Sequence, residues 1–224
     1  MIYSKIMHPE DYAEIEEEIE YYKDVQTKLR ELVRYQHPAR MWEYGTILKI
    51  LKKTSYKTLI DIGGSGSALS QCFSLRGMDT TIIDFDDESD KINEQNKLLE
   101  TNTKFIAADF LTVPTKMYDV VISISTIEHV LNDVSFFDKM LDACNKGGLI
   151  YLTCDFFTSA THPNEPPTYK QWVNRTYTED KLKDMVSIAS KKGFKLFNNK
   201  YDWAWNGPYV YNYNFASLIL ENNL

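Results

Sequence analysis

The sequence predicts an α/β fold: a doubly wound, mostly parallel seven-stranded sheet closed by an antiparallel terminal hairpin. Three observations lead there. Short apolar runs at residues 58–62, 80–84, 104–109, 119–124 and 149–153 read as buried parallel strands. Segments of helical length and period lie between them, which implies βαβ units with both sheet faces covered. The last two apolar runs, residues 194–202 and 215–220, have no helix between them. Parallel neighbours need a long crossover, so this final pair is expected to be antiparallel.

Taken in order, residues 11–36 are rich in Glu, Lys and Leu and predict one helix, which Pro38 interrupts. A second helix is expected over residues 39–53, with Trp42, Leu48 and Leu51 among its apolar positions. The strand at 58–62 ends in glycines. After the fourth strand, residues 133–145 place Val134, Phe137, Leu141 and Cys144 on one helical face, with Gly147 and Gly148 as a stop. Residues 178–192 repeat the pattern with Leu182, Met185, Val186 and Ala189, from Thr178 as N-cap to Gly193. No repeat or low-complexity linker interrupts the chain. A length of 224 residues suits a single domain over residues 1–224, with 1–38 as an N-terminal helical cap and 39–224 as the α/β core.

Composition narrows the function classes. The chain is 43% hydrophobic and 25% charged, which excludes disorder as a description of the whole. Its formal charge of -7 opposes a surface built to neutralise phosphates, so no nucleic-acid partner is expected. An acidic run at residues 10–20 stands where a secretory signal would carry its apolar region, so no such signal is expected. Residues 203–220 are uncharged, yet Asn206, Pro208, Asn212 and Asn214 make a membrane span costly there. Cys72, Cys144 and Cys154 show no CxxC spacing and read as buried free thiols in a cytoplasmic protein.

In sheets of this class ligands gather beyond the carboxyl ends of the strands. The first strand runs into Asp61-Ile62-Gly63-Gly64-Ser65-Gly66-Ser67, where glycines let backbone approach a ligand ahead of a helix. The second ends in Asp84, whose carboxylate can accept both hydroxyl hydrogens of a ribose. Loop and acid together point to an adenosine-containing ligand. A dinucleotide fingerprint needs G-x-G-x-x-G/A. Counted from Gly64, its third position falls on Leu69; counted from Gly63, its second falls on Ser65.

These strand ends resemble those of class I S-adenosylmethionine-dependent methyltransferases, small-molecule branch, over about residues 40–220. The resemblance implies that Asp61, Gly63, Gly64 and Gly66 wrap the methionine and ribose parts of S-adenosyl-L-methionine. It places Asp84 on the ribose, Phe85 beside the adenine, and Asp109, in Ala108-Asp109-Phe110, on the adenine amino group. Residues 118–129, ending in Ser125-Thr126-Ile127-Glu128-His129, resemble the fourth-strand motif and add Ser125 to the cofactor set. Arg40 has two readings: a clamp on the cofactor carboxylate, as in some relatives, or a surface arginine on a helix. Quinone O-methyltransferases carry E-x-x-E-H at the last of these motifs; Ser125 replaces the first acid, so no metal site is expected.

The expected reaction is methyl transfer to an oxygen or nitrogen of a small-molecule acceptor. His129 is the first candidate base; its other reading is a backbone contact at a helix start. Residues 155–177 hold His162, Tyr169, Trp172 and Arg175, and a connection of this length with these aromatics predicts a lid over the acceptor. Two other classes stay open: a non-catalytic binder of the same cofactor, and a nucleotide-dependent oxidoreductase or epimerase, which Leu69 and the terminal hairpin disfavour. Oligomeric state is not legible.

Overall fold

The computed structural model describes residues 4–34, 38–158, 165–169, 172–205 and 214–223, with residues 165–169 and 172–174 described by their backbone. In chain order these form β1 (Ser4–Lys5), α1 (Asp11–Glu14), α2 (Glu16–Leu29), α3 (Arg40–Leu51), β2 (Thr58–Ile62), α4 (Leu69–Leu75), β3 (Asp79–Asp84), α5 (Ser89–Leu99) and β4 (Lys104–Ala107). There follow β5 (Tyr118–Ile124), α6 (Asp133–Asp142), β6 (Cys144–Phe156), β7 (Glu165–Tyr169), β8 (Trp172–Asn174), α7 (Glu179–Lys191), β9 (Phe194–Leu196), β10 (Tyr201–Asp202) and β11 (Asn214–Asn222).

Seven strands form one sheet in the order β4-β3-β2-β5-β6-β11-β9. β2 runs parallel to β3 and β5, and β3 parallel to β4. β11 is antiparallel to β9, as the missing crossover required, and is also antiparallel to β6. Two short pairs stand apart from this sheet: β1 with β10, and β7 with β8. No helix among the described residues is long and apolar enough to cross a membrane.

The chain divides into two compact units. One comprises His8–Pro114 and Tyr118–Ile122. Here α2 buries Ile19, Tyr22, Val25 and Leu29, spaced three or four apart as one helical face demands. Gly45 in α3 is the close approach to this region: a Cβ there would lie 2.9 Å from Ile15 Cδ1. The leading helix is shorter than its composition suggests. It stops at Leu29, Arg30 takes φ +47, and one 3-10 turn reaches Leu32. No breaker occurs in this stretch, so tertiary contacts end the helix. The Leu32 carbonyl accepts from Gln95 Nε2 at 2.6 Å, and Arg34 N–H donates to the Gly66 carbonyl at 3.0 Å.

The other unit comprises Met1–Met7, Thr115–Met117 and Ser123–Leu224. β6 is buried from Gly148 to Cys154 and β11 from Asn214 to Leu220, as strands covered on both faces should be. Helix α6 differs from the sequence expectation. Its buried residues are Phe136, Phe137, Met140 and Leu141, a tight i, i+1, i+4, i+5 stripe, whereas Val134 is 60% exposed. The helix ends at Asp142, and Cys144 already belongs to β6. Gly147 therefore does not stop the helix. It sits inside the strand at φ +74, a backbone bend that side-chain-bearing residues resist. Helix α7 follows expectation: Thr178 Oγ1 accepts from Lys181 N–H at 3.3 Å, and Gly193 follows the helix at φ +85.

Candidate active site

The loop between β2 and α4 is organised around two carboxylates within the first unit. Asp61 is 2% exposed and accepts from Ser70 Oγ at 2.9 Å. Burial pushes its carboxyl up to about 7; the Ser70 hydroxyl opposes that rise and the charge of Asp84 adds to it. Gly64 lies against this group so closely that a Cβ would stand 2.1 Å from Asp61 Oδ2. Only glycine fits there. Gly63, at φ +82, donates its N–H to the Ile83 carbonyl at 2.8 Å and so ties the loop to the end of β3.

Asp84 terminates β3. Its Oδ2 accepts from Ser65 Oγ at 2.6 Å and Ser65 N–H at 3.2 Å, and its Oδ1 from Phe85 N–H at 2.8 Å. Phe85 beside it is 59% exposed, an unusual position for a large aromatic ring. Asp109 follows β4, with Oδ1 accepting from Leu111 N–H at 2.8 Å, while Phe110 is buried. Ala108 N–H donates to the Asp84 carbonyl at 2.9 Å, which brings the second and third strand ends together. Gly66 meets Arg34, whose Cδ would lie 3.1 Å from an added Cβ and whose guanidinium pairs with Glu88 at 3.2 Å. Arg40 opens α3 and pairs through Nη1 with Oε2 of the buried Glu43 at 2.9 Å. These groups fit an adenosine: carboxylate acceptors for a diol and an amino group, and an aromatic face for the base.

In the second unit, Ser125 is buried at φ +43, and its N–H donates to the Thr153 carbonyl at 3.2 Å and to Thr153 Oγ1 at 3.1 Å. His129 is half-buried in a 3-10 turn, Ile127–His129, and its N–H donates to the Thr126 carbonyl at 2.9 Å. Arg175 follows β8, and its guanidinium pairs with Asp133 at 2.8 Å and donates to the Leu131 carbonyl at 3.2 Å. His162 lies outside the described residues. Tyr169 and Trp172 are placed by backbone alone, paired to each other across the β7–β8 hairpin. Among the described residues no three His, Cys, Asp or Glu side chains cluster as metal ligands would.

Reasoning from sequence missed Ser65, Ser70, Tyr22 and Arg34. Tyr22 Oη accepts from Ala68 N–H at 3.3 Å, capping the start of α4 from another helix. A serine at every second or third position of the loop was the available signal for Ser65 and Ser70. No local pattern announces Tyr22 or Arg34.

Residues 53–190 match a family model described as a methyltransferase domain. A curated relative, the ubiquinone biosynthesis O-methyltransferase of Nitrosomonas europaea, is 28% identical over 109 residues. That alignment takes in 47% of this chain, and the chain spans only 46% of the relative's length. Among solved structures, TehB of Haemophilus influenzae is similar over 80% of this chain and 62% of its own, with 19% identity and a TM-score of 0.59. The N-methyltransferase NodS of Bradyrhizobium japonicum WM9, solved with S-adenosyl-L-homocysteine, is similar over 90% of this chain and 98% of its own, with 12% identity and a TM-score of 0.60. At these identities the structural likenesses speak to the fold, whereas the family model covers well over half the chain. The chain belongs to the methyltransferase-domain family of class I S-adenosylmethionine-dependent methyltransferases.

Proposed function

We propose that this chain transfers a methyl group from S-adenosyl-L-methionine to an oxygen or nitrogen of a small-molecule acceptor. The observation that carries the reading is Asp84, fixed at the end of β3 by Ser65 and flanked by the exposed ring of Phe85. In this reading Asp84 takes the ribose hydroxyls, Phe85 covers the adenine and Asp109 takes its amino group. Gly63, Gly64 and Gly66 keep the loop open beside the buried Asp61. Ser125 lines the cofactor, and Arg40 holds its carboxylate.

When bound, the cofactor supplies a sulfonium-activated methyl group, so the protein's share is alignment, exclusion of water and removal of one proton. His129 is the proposed base, holding the acceptor's proton at an imidazole nitrogen. Residues 155–177 are the proposed acceptor lid, with Tyr169 and Trp172 as apolar walls and His162 as a further polar contact. The relative named for ubiquinone biosynthesis supports a small acceptor, as does the net charge of -7, which disfavours nucleic acid. The matched residues 53–190 run through both compact units, which supports a single methyltransferase domain. Three buried free cysteines support a cytoplasmic location.

Calorimetric titration with S-adenosylmethionine, S-adenosylhomocysteine and NAD tests the cofactor, and turnover with a panel of phenols, carboxylates and amines tests the acceptor class. Binding of the first two without NAD is expected. Tight cofactor binding with no turnover on any acceptor would favour a binding protein. Preference for NAD would overturn the reading.

A further inference from the structure

We infer that Arg175 and Asp133 form a clasp that positions His129, so that Arg175 serves the base rather than an anionic substrate. This rests on the reading of His129 as the base. Arg175 follows β8 and grips the chain around His129, from Glu128 to Asp133, at three points. Its N–H donates to the Glu128 carbonyl at 3.2 Å, and its guanidinium donates to the Leu131 carbonyl at 3.2 Å and pairs with Asp133 at 2.8 Å. The backbone on both sides of His129 is therefore held by one side chain and its own amide. Asp133 is fixed in turn: Tyr177 Oη donates to its Oδ2 at 3.0 Å, and Tyr177 is buried.

The burial of the pair separates it from an ordinary surface bridge. The Arg175 and Asp133 side chains are 15% and 18% exposed, so the pair is shielded from most of the screening that makes exposed bridges worth little. Arginine suits the task because its planar fork can satisfy a carboxylate and a carbonyl together, which a lysine ammonium does less well. The clasp also roots the hairpin. The residue that ends the hairpin is the residue that holds the turn, so displacement of the hairpin base pulls on His129.

The test uses the full chain labelled with 13C-histidine, whose four histidines give few signals, with His129 assigned by its loss in His129→Gln. Arg175→Ala and Asp133→Asn are expected to displace or broaden the His129 imidazole resonance. S-adenosylhomocysteine affinity should stay within about twofold, because the Asp61 and Asp84 contacts share no partner with the clasp. Arg175→Lys should return the resonance part of the way. If Arg175→Ala fails to fold, the isosteric Asp133→Asn carries the same test. An unmoved His129 signal in a folded variant would overturn the clasp, as would a large loss of S-adenosylhomocysteine binding in both variants. Failure of the base assignment is read separately, as undiminished transfer by His129→Gln on whichever acceptor the panel identifies.

Discussion

Replacement of Asp84 by alanine is the most direct trial of the cofactor reading. A carboxylate offers roughly four acceptor directions. Three are taken, by the Ser65 hydroxyl at 2.6 Å, the Ser65 amide at 3.2 Å and the Phe85 amide at 2.8 Å. One strong bond to a ribose hydroxyl remains, and a second becomes available if the Ser65 hydroxyl turns away. One hydrogen bond to a charged group contributes about 1.5–3 kcal/mol. At 1.4 kcal/mol per decade, that is a roughly ten- to hundredfold rise in Kd for S-adenosylhomocysteine. Calorimetry on Asp84→Ala, Asp84→Asn and Ser65→Ala reads the effect directly. Asp84→Asn keeps the shape and loses the charge, so it should fall between the parent and alanine; Ser65→Ala loosens the acid and should cost about tenfold or less. Unchanged affinity in an Asp84→Ala variant that melts like the parent would refute the assignment.

The buried Asp61 gives a pH signature. Its carboxyl lies at about 7 in the folded chain against 3.8 unfolded, so the folded state holds the extra proton between those values and stability falls as pH rises through that window. Asp61→Asn should flatten the decline, measured by urea denaturation at pH values spaced from about 4 to about 7; an equal slope in parent and variant would show that other groups set it. Gly64→Ala should destabilise by about 1–3 kcal/mol or more, since the new methyl would meet the buried Asp61 carboxylate at 2.1 Å, and thermal unfolding checks this. Tyr22→Phe should cost about 1–3 kcal/mol by leaving the Ala68 N–H without its acceptor, read as a shift in urea midpoint at constant slope.

The strands of the central sheet were legible because each carries its own local signal. Residues 58–62 coincide with β2, and the hairpin at the end of the sheet followed from the mere absence of a crossover helix. The glycine loop and Asp84 were legible for the same reason: glycine where backbone must come close, and an acid at a strand end, are properties of position along the chain. Helix lengths were less so. The leading helix ends where Leu32 and Arg34 find partners in Gln95 and Gly66, and nothing between residues 29 and 34 announces that.

What the sequence by itself determined is therefore the fold class, the family and a set of candidate cofactor residues at the strand ends, since periodicity and strand-end chemistry are written in short windows. Only the tertiary structure decided how those residues are held. Ser70 steadies Asp61 from nine positions on, Tyr22 caps α4 from forty-six positions away, and Arg175 reaches back forty-two residues to Asp133. Such pairings join groups that gain nothing from being near in sequence. A hydroxyl or guanidinium finds its partner only after packing has removed water from both, and no local pattern records which partner that will be.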